Sequence, residues 1–473
     1  MINRGIVDMR VRTGAMAIRR PGRIGRLGRV GSIVAFLLGS LVVEAFVLTG
    51  VPASAAGTPS LVLSAPASAT AGIGFQTAVT LTQDSAPVAS TSVTLTAKQR
   101  QHPDVTLTVD SDESGSGLAN LVLPVRGDWT IVASYIDGAN TIYSNEVVVA
   151  AAGQTVAVTI NAPTAVTSEV AFKATVSVVS AVDGSPIAGV SATLHRSTDG
   201  VQPAAVIGKA NTDSFGHGFL TSTVWKASSF SVSIEQGPIY NAAISAPVRI
   251  TARPVFAVVT YPRGAPLPKV RFSDAPRARG IGANPLVTPI PNSVWASMQG
   301  LTWHKGCMAR SSLRYITVNY IGFDGFRYRG SIIVASWVAK PAVNVFTRLY
   351  AMRYPIRSMF LVDRYGKAPN GYPGANDYAS MASDNTTGFN CRYVVGKESR
   401  RAMSPHAWGS AIDINTWENP YYSARGPYPN SWWLPRTRTS RAVLTASSPA
   451  VKAFRAAGFT WGGSYMDYQH FQP

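Results

Sequence analysis

His406, Asp413 and His470 place two imidazoles and one carboxylate in the C-terminal part of a 473-residue chain. Three such side chains, with a fourth position left to water, suit a catalytic zinc ion better than a closed structural one. Zinc lowers the pKa of water from about 15.7 to around 7, which makes hydroxide available at neutral pH. Asp467 stands three residues before His470, near enough to enter the same cavity. A carboxylate there can take a proton from water and later pass it to a leaving amine. Gly409 and Ala411, between His406 and Asp413, permit a tight turn and close packing beside a metal. Each residue alone also fits a structural role, and it is the combination that points to chemistry.

These residues fall in two short segments. Ser404-Pro-His-Ala-Trp-Gly-Ser-Ala-Ile-Asp413 resembles the S-x-H-x-x-G-x-A-x-D signature of the zinc D-alanyl-D-alanine carboxypeptidase family. That family includes VanY-type enzymes and L-alanyl-D-glutamate endopeptidases. Ser404, His406, Gly409, Ala411 and Asp413 fill all the fixed positions. The family's second motif, an acid three residues before a histidine, is met by Asp467 and His470. The stretch Asp384-Asn-Thr-Thr-Gly-Phe-Asn-Cys-Arg392 is similar to the D-N-T-S-x-F-N-C-R stretch of the endopeptidase-like branch, with Thr387 in place of Ser.

The resemblance covers residues 289–473. It implies His406, Asp413 and His470 as Zn2+ ligands and Asp467 as catalytic acid and base. It further implies Arg392 as the stabiliser of a developing oxyanion, and Ser404 as a residue that positions substrate or ligands. Many members carry Glu at the base position. Asp467 therefore steers the branch toward the endopeptidase-like members, without fixing which bond is cut.

Such a site needs a frame. From about Pro289 the chain reads as α+β. Tyr315–Tyr320 and Gly330–Ser336 read as a hairpin around Gly322–Gly325. A helix is expected to open at Pro341, with Ala342, Val345, Phe346, Leu349 and Tyr350 on its apolar face, and to stop before Pro355. A second runs from Pro449 to Ala457, ending at Gly458. Cys307 and Cys391 are the two cysteines of the chain; in an exported protein an even pair is expected to form a structural disulfide. Trp461 belongs to an aromatic group near the motifs, with two readings: a substrate-binding cleft wall or a core anchor.

Upstream, residues 58–250 are rich in Val, Thr, Ser and Ala, often alternating at period two, with turns every 8–12 residues, which argues for all-β sandwiches. There is an internal repeat. Asp112-Glu-Ser-Gly-Ser-Gly117 recurs as Asp213-Ser-Phe-Gly-His-Gly218, and Ala86-Pro-Val-Ala89 as Ser185-Pro-Ile-Ala188. The fold class expected is multidomain: two immunoglobulin-like sandwiches, 56–152 and 153–252, before the α+β zinc peptidase domain, 289–473. Residues 253–288, dense in proline and basic, are expected to form an extended semi-rigid linker.

Residues 1–55 carry eight arginines, then the apolar stretch Ile33 to Leu48 and small residues up to Ala55. They read as a secretory signal cleaved after Ala55, or as an uncleaved anchor. Either way the rest of the chain is expected outside the cytoplasm, extracellular or wall-associated. Charge is divided unevenly: residues 286–473 hold 21 Lys and Arg against eight acids, whereas 56–250 hold eight against 13. The basic part suits an anionic wall polymer. Its cations are scattered and no nucleic-acid motif accompanies them, so nucleic acid is not an expected partner. A polytopic membrane protein is excluded because one apolar run alone approaches the ~18 residues a span needs; a membrane contact is expected only if the signal stays uncleaved.

The leading expectation is an exported zinc peptidase acting on peptidoglycan stem peptides, as carboxypeptidase or endopeptidase. The alternative is a non-catalytic adhesin or wall-binding protein that keeps the peptidase fold as a scaffold.

Overall fold

The computed structural model describes residues 57–198, 204–268 and 275–473; the export segment expected in residues 1–55 lies outside them. Among the described residues no helix is long and apolar enough to cross a membrane.

Alternating side chains build the first β unit. Pro59–Ser64, Gly74–Gln83, Ala86–Pro87 and Ser116–Val122 form one sheet; Ser68–Thr70, Ser92–Gln99, His102–Asp110, Gly127–Asp137, Asn140–Tyr143 and Val147–Ala152 form another. Every second residue points inward, so Leu61, Leu81, Leu95, Trp129 and Ile131 share one core. The second unit repeats this plan. Val156–Asn161, Ala171–Ser180 and His217–Thr223 face a sheet that runs in order Ala165–Thr167, Val248–Arg253, Ser228–Ile234, Ser191–Thr198 and Ala205–Asn211, across a core containing Val176, Leu194, Phe230 and Ile250.

The repeated hexapeptides have a physical basis. Asp112 Oδ1 accepts from the backbone N–H of Ser114 and Ser116 at 2.8 and 3.0 Å. Asp213 Oδ1 does the same for Phe215 and His217, at 2.9 Å each. Gly115 and Gly216 close these turns at φ +73° and +72°, and a Cβ on either would lie 2.4 Å from the carbonyl oxygen of Leu81 or Val178. Pro87 and Pro186, from the other repeated segment, pack against the same two glycines. The repeat thus preserves one turn and its neighbour.

The proline-rich stretch expected as a linker does not stand free. Phe256 N–H donates to the Gly325 carbonyl and Val259 N–H to that of Phe323, at 3.1 and 2.7 Å. Trp417 Nε1 donates to the Pro266 carbonyl at 2.9 Å, and Leu286–Thr288 pairs with Leu313–Ile321. Aromatic residues set between the prolines find partners in the C-terminal part, and a chain with few N–H groups to satisfy can lie along its surface as a strap. The second β unit also touches that part. Glu169 bridges Arg277 and Arg327 at 3.0 and 2.8 Å, while the Trp225 ring meets Tyr328 edge-on at 5.4 Å.

In the C-terminal part, Leu313–Ile321 and Arg327–Ala335 form the hairpin read from the sequence. The helix Ala339–Ala351 lays Ala342, Val345, Phe346 and Leu349 on Ile316, Val318 and Ile332 of that hairpin. Pro341 falls in its first turn, where the missing N–H has no helical acceptor to lose. The helix Pro449–Arg455 starts at its proline as expected. Beneath it lies a small sheet of Ile412–Asp413, His470–Gln472 and Thr460–Trp461. Cys307 and Cys391 form a disulfide with Cα atoms 6.1 Å apart; closing a loop of that size stabilises by roughly 4–5 kcal/mol in the chain-entropy model.

Candidate active site

His406 sits in the one-turn helix Pro405–Trp408, whose N-cap Ser404 accepts the His406 N–H at 3.3 Å. Gly409 ends that turn at φ +59°, and a Cβ there would lie 2.6 Å from the Ala335 nitrogen. This explains the signature glycine: the turn must press against the hairpin. Asp413 lies directly opposite His470 in strand register, as Ile412 does opposite Phe471. Alternation sends Asp413 and His470 to one face, and Ile412 and Phe471 into the core, where Phe471 stacks on Phe454 at 3.7 Å. Strand pairing thereby joins two ligand candidates that are distant in sequence.

The three side chains converge. His406 Nε2 is 3.1 Å from Asp413 Oδ2, His470 Nδ1 is 3.0 Å from Asp413 Oδ1, and the two ring nitrogens are 3.3 Å apart. Donors about 2.0–2.1 Å from a tetrahedral zinc stand roughly 3.3–3.4 Å from one another, close to these separations, so this set fits the ion. The outer ring nitrogens are occupied as metal-ligating histidines require. His406 Nδ1 meets the Gly388 carbonyl at 2.6 Å, and His470 Nε2 meets Gln472 Oε1 at 3.0 Å.

Electrostatics separates the carboxylates. Burial disfavours charge on Asp413, yet His406 and His470 hold its pKa below the ordinary value. Burial pulls the His470 pKa down, but the Asp413 hydrogen bond and the Asp467 and Asp413 charges outweigh it and carry it up to about 9. For Asp467, burial is the largest influence and pushes the carboxyl up to about 7, with Asp413 and Asp377 adding to the rise and His470 and Arg392 opposing it. Its Oδ1 is sealed from solvent without a hydrogen-bond partner. A carboxyl placed near 7 beside a ligand set is matched to proton transfer at neutral pH.

His406, Asp413, His470, Asp467, Arg392 and Ser404 all line one cavity of about 250 Å3. Arg392 Nη2 pairs with Asp377 Oδ2 at 2.7 Å and Nη1 donates to the Tyr393 carbonyl at 3.0 Å, while the buried Nε has no partner. Trp461 is placed elsewhere: the residue is 7 % exposed, its ring packs in the core and its Nε1 donates to the Tyr468 carbonyl at 2.8 Å. It does not wall this cavity, because the strand Thr460–Trp461 turns that side chain inward.

Several lining residues escape sequence reasoning. Asp377 opens the short helix Asp377–Ala382, capped by Asn376, and braces Arg392. Gln469 Nε2 lies 3.4 Å from Asp413 Oδ2 and its Oε1 is buried without a partner. Tyr421 and Tyr465 complete the wall. An aspartate in a helix-start pattern was the available signal for Asp377, and membership of the aromatic group near the motifs was that for Tyr421; for Tyr465 there was none.

Residues 397–473 match a family described as D-alanyl-D-alanine carboxypeptidase. The C-terminal segment is carboxypeptidase-like. The match contains His406, Asp413, Asp467 and His470 and begins after Arg392. No curated protein matches the chain. Solved structures similar to it include a tetra-tandem repeat from the extending region of a large adhesion protein, 11 % identical over 59 % of this chain and 64 % of that one, with a TM-score of 0.29. Invasin, a bacterial integrin-binding protein, is 16 % identical over 57 % of this chain and 48 % of its own, with a TM-score of 0.29. The D0-D1 domain of intimin is 15 % identical over 41 % of this chain and 100 % of its own, with a TM-score of 0.18. This chain thus spans less than two thirds of the first of these and under half of invasin.

Proposed function

We propose that this chain is an exported zinc-dependent peptidase that hydrolyses peptidoglycan stem peptides. The convergence of His406, Asp413 and His470 beside the raised carboxyl of Asp467, within a carboxypeptidase-like segment, is the observation that carries this reading. Zinc held there supplies Lewis acidity, making water a competent nucleophile at neutral pH. Asp467 accepts the proton from the attacking water and returns it to the departing amine. Arg392, steadied by Asp377, presents fixed positive charge to the oxyanion that develops on the peptide carbonyl. Ser404 holds the turn that aims His406.

The two β units are read as immunoglobulin-like sandwiches that carry the catalytic part away from the cell surface, and the arginine-rich start of the chain as its export signal. The basic catalytic part then meets an anionic wall. Both scissile bonds, the terminal D-Ala-D-Ala link and one inside the stem, are compatible with this cavity, whose cations are Arg392 and Lys397.

The test is mass spectrometry of peptidoglycan fragments incubated with the full chain, stripped by chelator and then restored with zinc. Zinc-dependent release of free D-Ala identifies a carboxypeptidase, and zinc-dependent fragments cut within the stem identify an endopeptidase. Intact stems with a zinc-loaded protein, or cleavage indifferent to chelation, would overturn the proposal.

A further inference from the structure

Beyond the cavity, one cluster of buried ionisable groups takes no part in the chemistry above. Arg357, Asp384 and Glu418 are all buried. Arg357 Nε donates to Asp384 Oδ2 at 2.7 Å, and its Nη2 stands 3.7 Å from Glu418 Oε1. The phenol of Tyr261 lies between them: its hydroxyl donates to Glu418 Oε1 and accepts from Arg357 Nη2. Its ring packs near Trp433 and Phe323, with centroids 5.5 and 6.3 Å away. Tyr261 belongs to the proline-rich strap, held on either side by the Val259 and Pro266 hydrogen bonds. A buried guanidinium is costly unless its donors are met, and the strap delivers one of the acceptors.

The network continues toward the ligands. Asp384 Oδ1 accepts the Trp417 N–H at 2.9 Å, and Asn415 Oδ1 accepts the Arg357 N–H at 3.1 Å. Asp384 and Asn415 both hold left-handed backbone, at φ 53° and 46°, a conformation uncommon outside glycine that needs local support. Asp384 opens the segment 384–388. Within it, Thr387 exchanges backbone hydrogen bonds with Asp413, 2.9 Å each way, and Gly388 offers its carbonyl to His406 Nδ1 at 2.6 Å. A segment that begins on the buried network therefore ends on two of the three candidate ligands.

We propose that Tyr261 is a positioning residue for the metal site: by closing the Arg357–Asp384–Glu418 network it fixes residues 384–388, and through them Asp413 and His406. The proposal rests on the reading of His406, Asp413 and His470 as metal ligands. It makes the strap, which lies outside the family-matched residues 397–473, a working part of the catalytic unit.

Full-length protein carrying Tyr261→Phe keeps the ring and loses the hydroxyl. It is compared with native protein by hydrogen–deuterium exchange in metal-free buffer and by zinc titration against a chelator. Exchange across 384–388 and 413–415 is expected to accelerate about tenfold, residues 59–253 to stay unchanged, and zinc binding to weaken about tenfold, the scale on which outer partners of metal ligands act. Unchanged exchange across 384–388 overturns the proposal. So does acceleration spread evenly over 275–473, which marks a general structural role, and so does unaltered zinc affinity. A native protein that takes up zinc yet leaves stem peptides intact removes the peptidase reading and leaves the Tyr261 assignment to these two measurements.

Discussion

The acids of the two repeated β units and those of the C-terminal part are the same residue types put to opposite uses. Asp112 and Asp213 sit on turns in full contact with solvent. Hydrogen bonds hold their pKa values down: the Ser114 side chain is the largest cause at Asp112, and the His217 N–H at Asp213. Glu418 is buried and Asp467 half-buried at the cavity, and loss of water is the largest cause lifting both. Where water is present, a carboxylate organises a turn. Where it is excluded, the same group keeps its proton to higher pH, which suits the proton transfer proposed for Asp467, or joins a closed network as Glu418 does.

The sharpest break between the two regions is functional. Asp467→Asn preserves shape and removes the proton-accepting oxygen. Turnover of stem peptides is expected to fall about a hundred- to ten-thousand-fold, with zinc content by atomic emission unchanged. Asp112→Asn, the matching change in the first β unit, is expected to leave turnover at the native value. An Asp467→Asn protein with near-native rates would place general base catalysis elsewhere and dissolve the contrast.

Backbone geometry gives the next effect. Gly216→Ala forces a side chain into left-handed backbone and toward the Val178 carbonyl, and is expected to cost about 1–3 kcal/mol. Urea unfolding followed by tryptophan fluorescence measures it. Gly115→Ala should cost a similar amount, since its turn is the same; unequal losses would show that the two copies have diverged energetically.

The parts of this molecule legible in the sequence are those in which local rules decide. Alternation at period two gave the β units, and the repeated Asp-x-x-Gly turns marked their register. His406, Asp413 and His470 stood out because their residue types carry metal chemistry and because the segments around them resemble the carboxypeptidase signature, and strand register then brought Asp413 opposite His470. The network around Tyr261 had no such signal. Its partners are joined across 96 residues to Arg357 and 157 to Glu418, and prolines around Tyr261 read locally as a spacer. Trp461 shows the converse limit. Beside a motif, a core tryptophan and a cleft tryptophan look alike until the strand that carries it has an orientation.

Glu418 offers a stability test of the buried side of the comparison. Its pKa is raised well above the ordinary value in the folded protein, so its contribution is fully present below the unfolded carboxylate value, near 4.3. That contribution is lost progressively as pH rises toward the folded value, because the unfolded chain ionises first. Native stability should therefore drop by at most about 1.4 kcal/mol per pH unit from this one group. Glu418→Gln, which keeps the acceptor for Tyr261 and cannot ionise, removes that slope. Thermal melts at pH 5.5 and 6.5 should show the variant gaining on the native protein at the higher pH. A constant gap would mean that Glu418 is ionised in the fold and paired with Arg357.

The smallest effect belongs to the exposed side. Asp112 is depressed by its hydrogen bonds, so its contribution is present above the unfolded value of about 3.9 and lost as pH falls through the lower folded value. Asp112→Asn keeps an acceptor oxygen for the Ser114 and Ser116 N–H groups but surrenders the charge. The native protein should be slightly the more stable at neutral pH, with the difference shrinking as the solution is acidified below about pH 4, and shrinking at all pH values in high salt. Parallel acid-unfolding curves would separate the two influences. A gap that persists in acid would show that hydrogen-bond geometry, and not charge, lets Asp112 hold its turn.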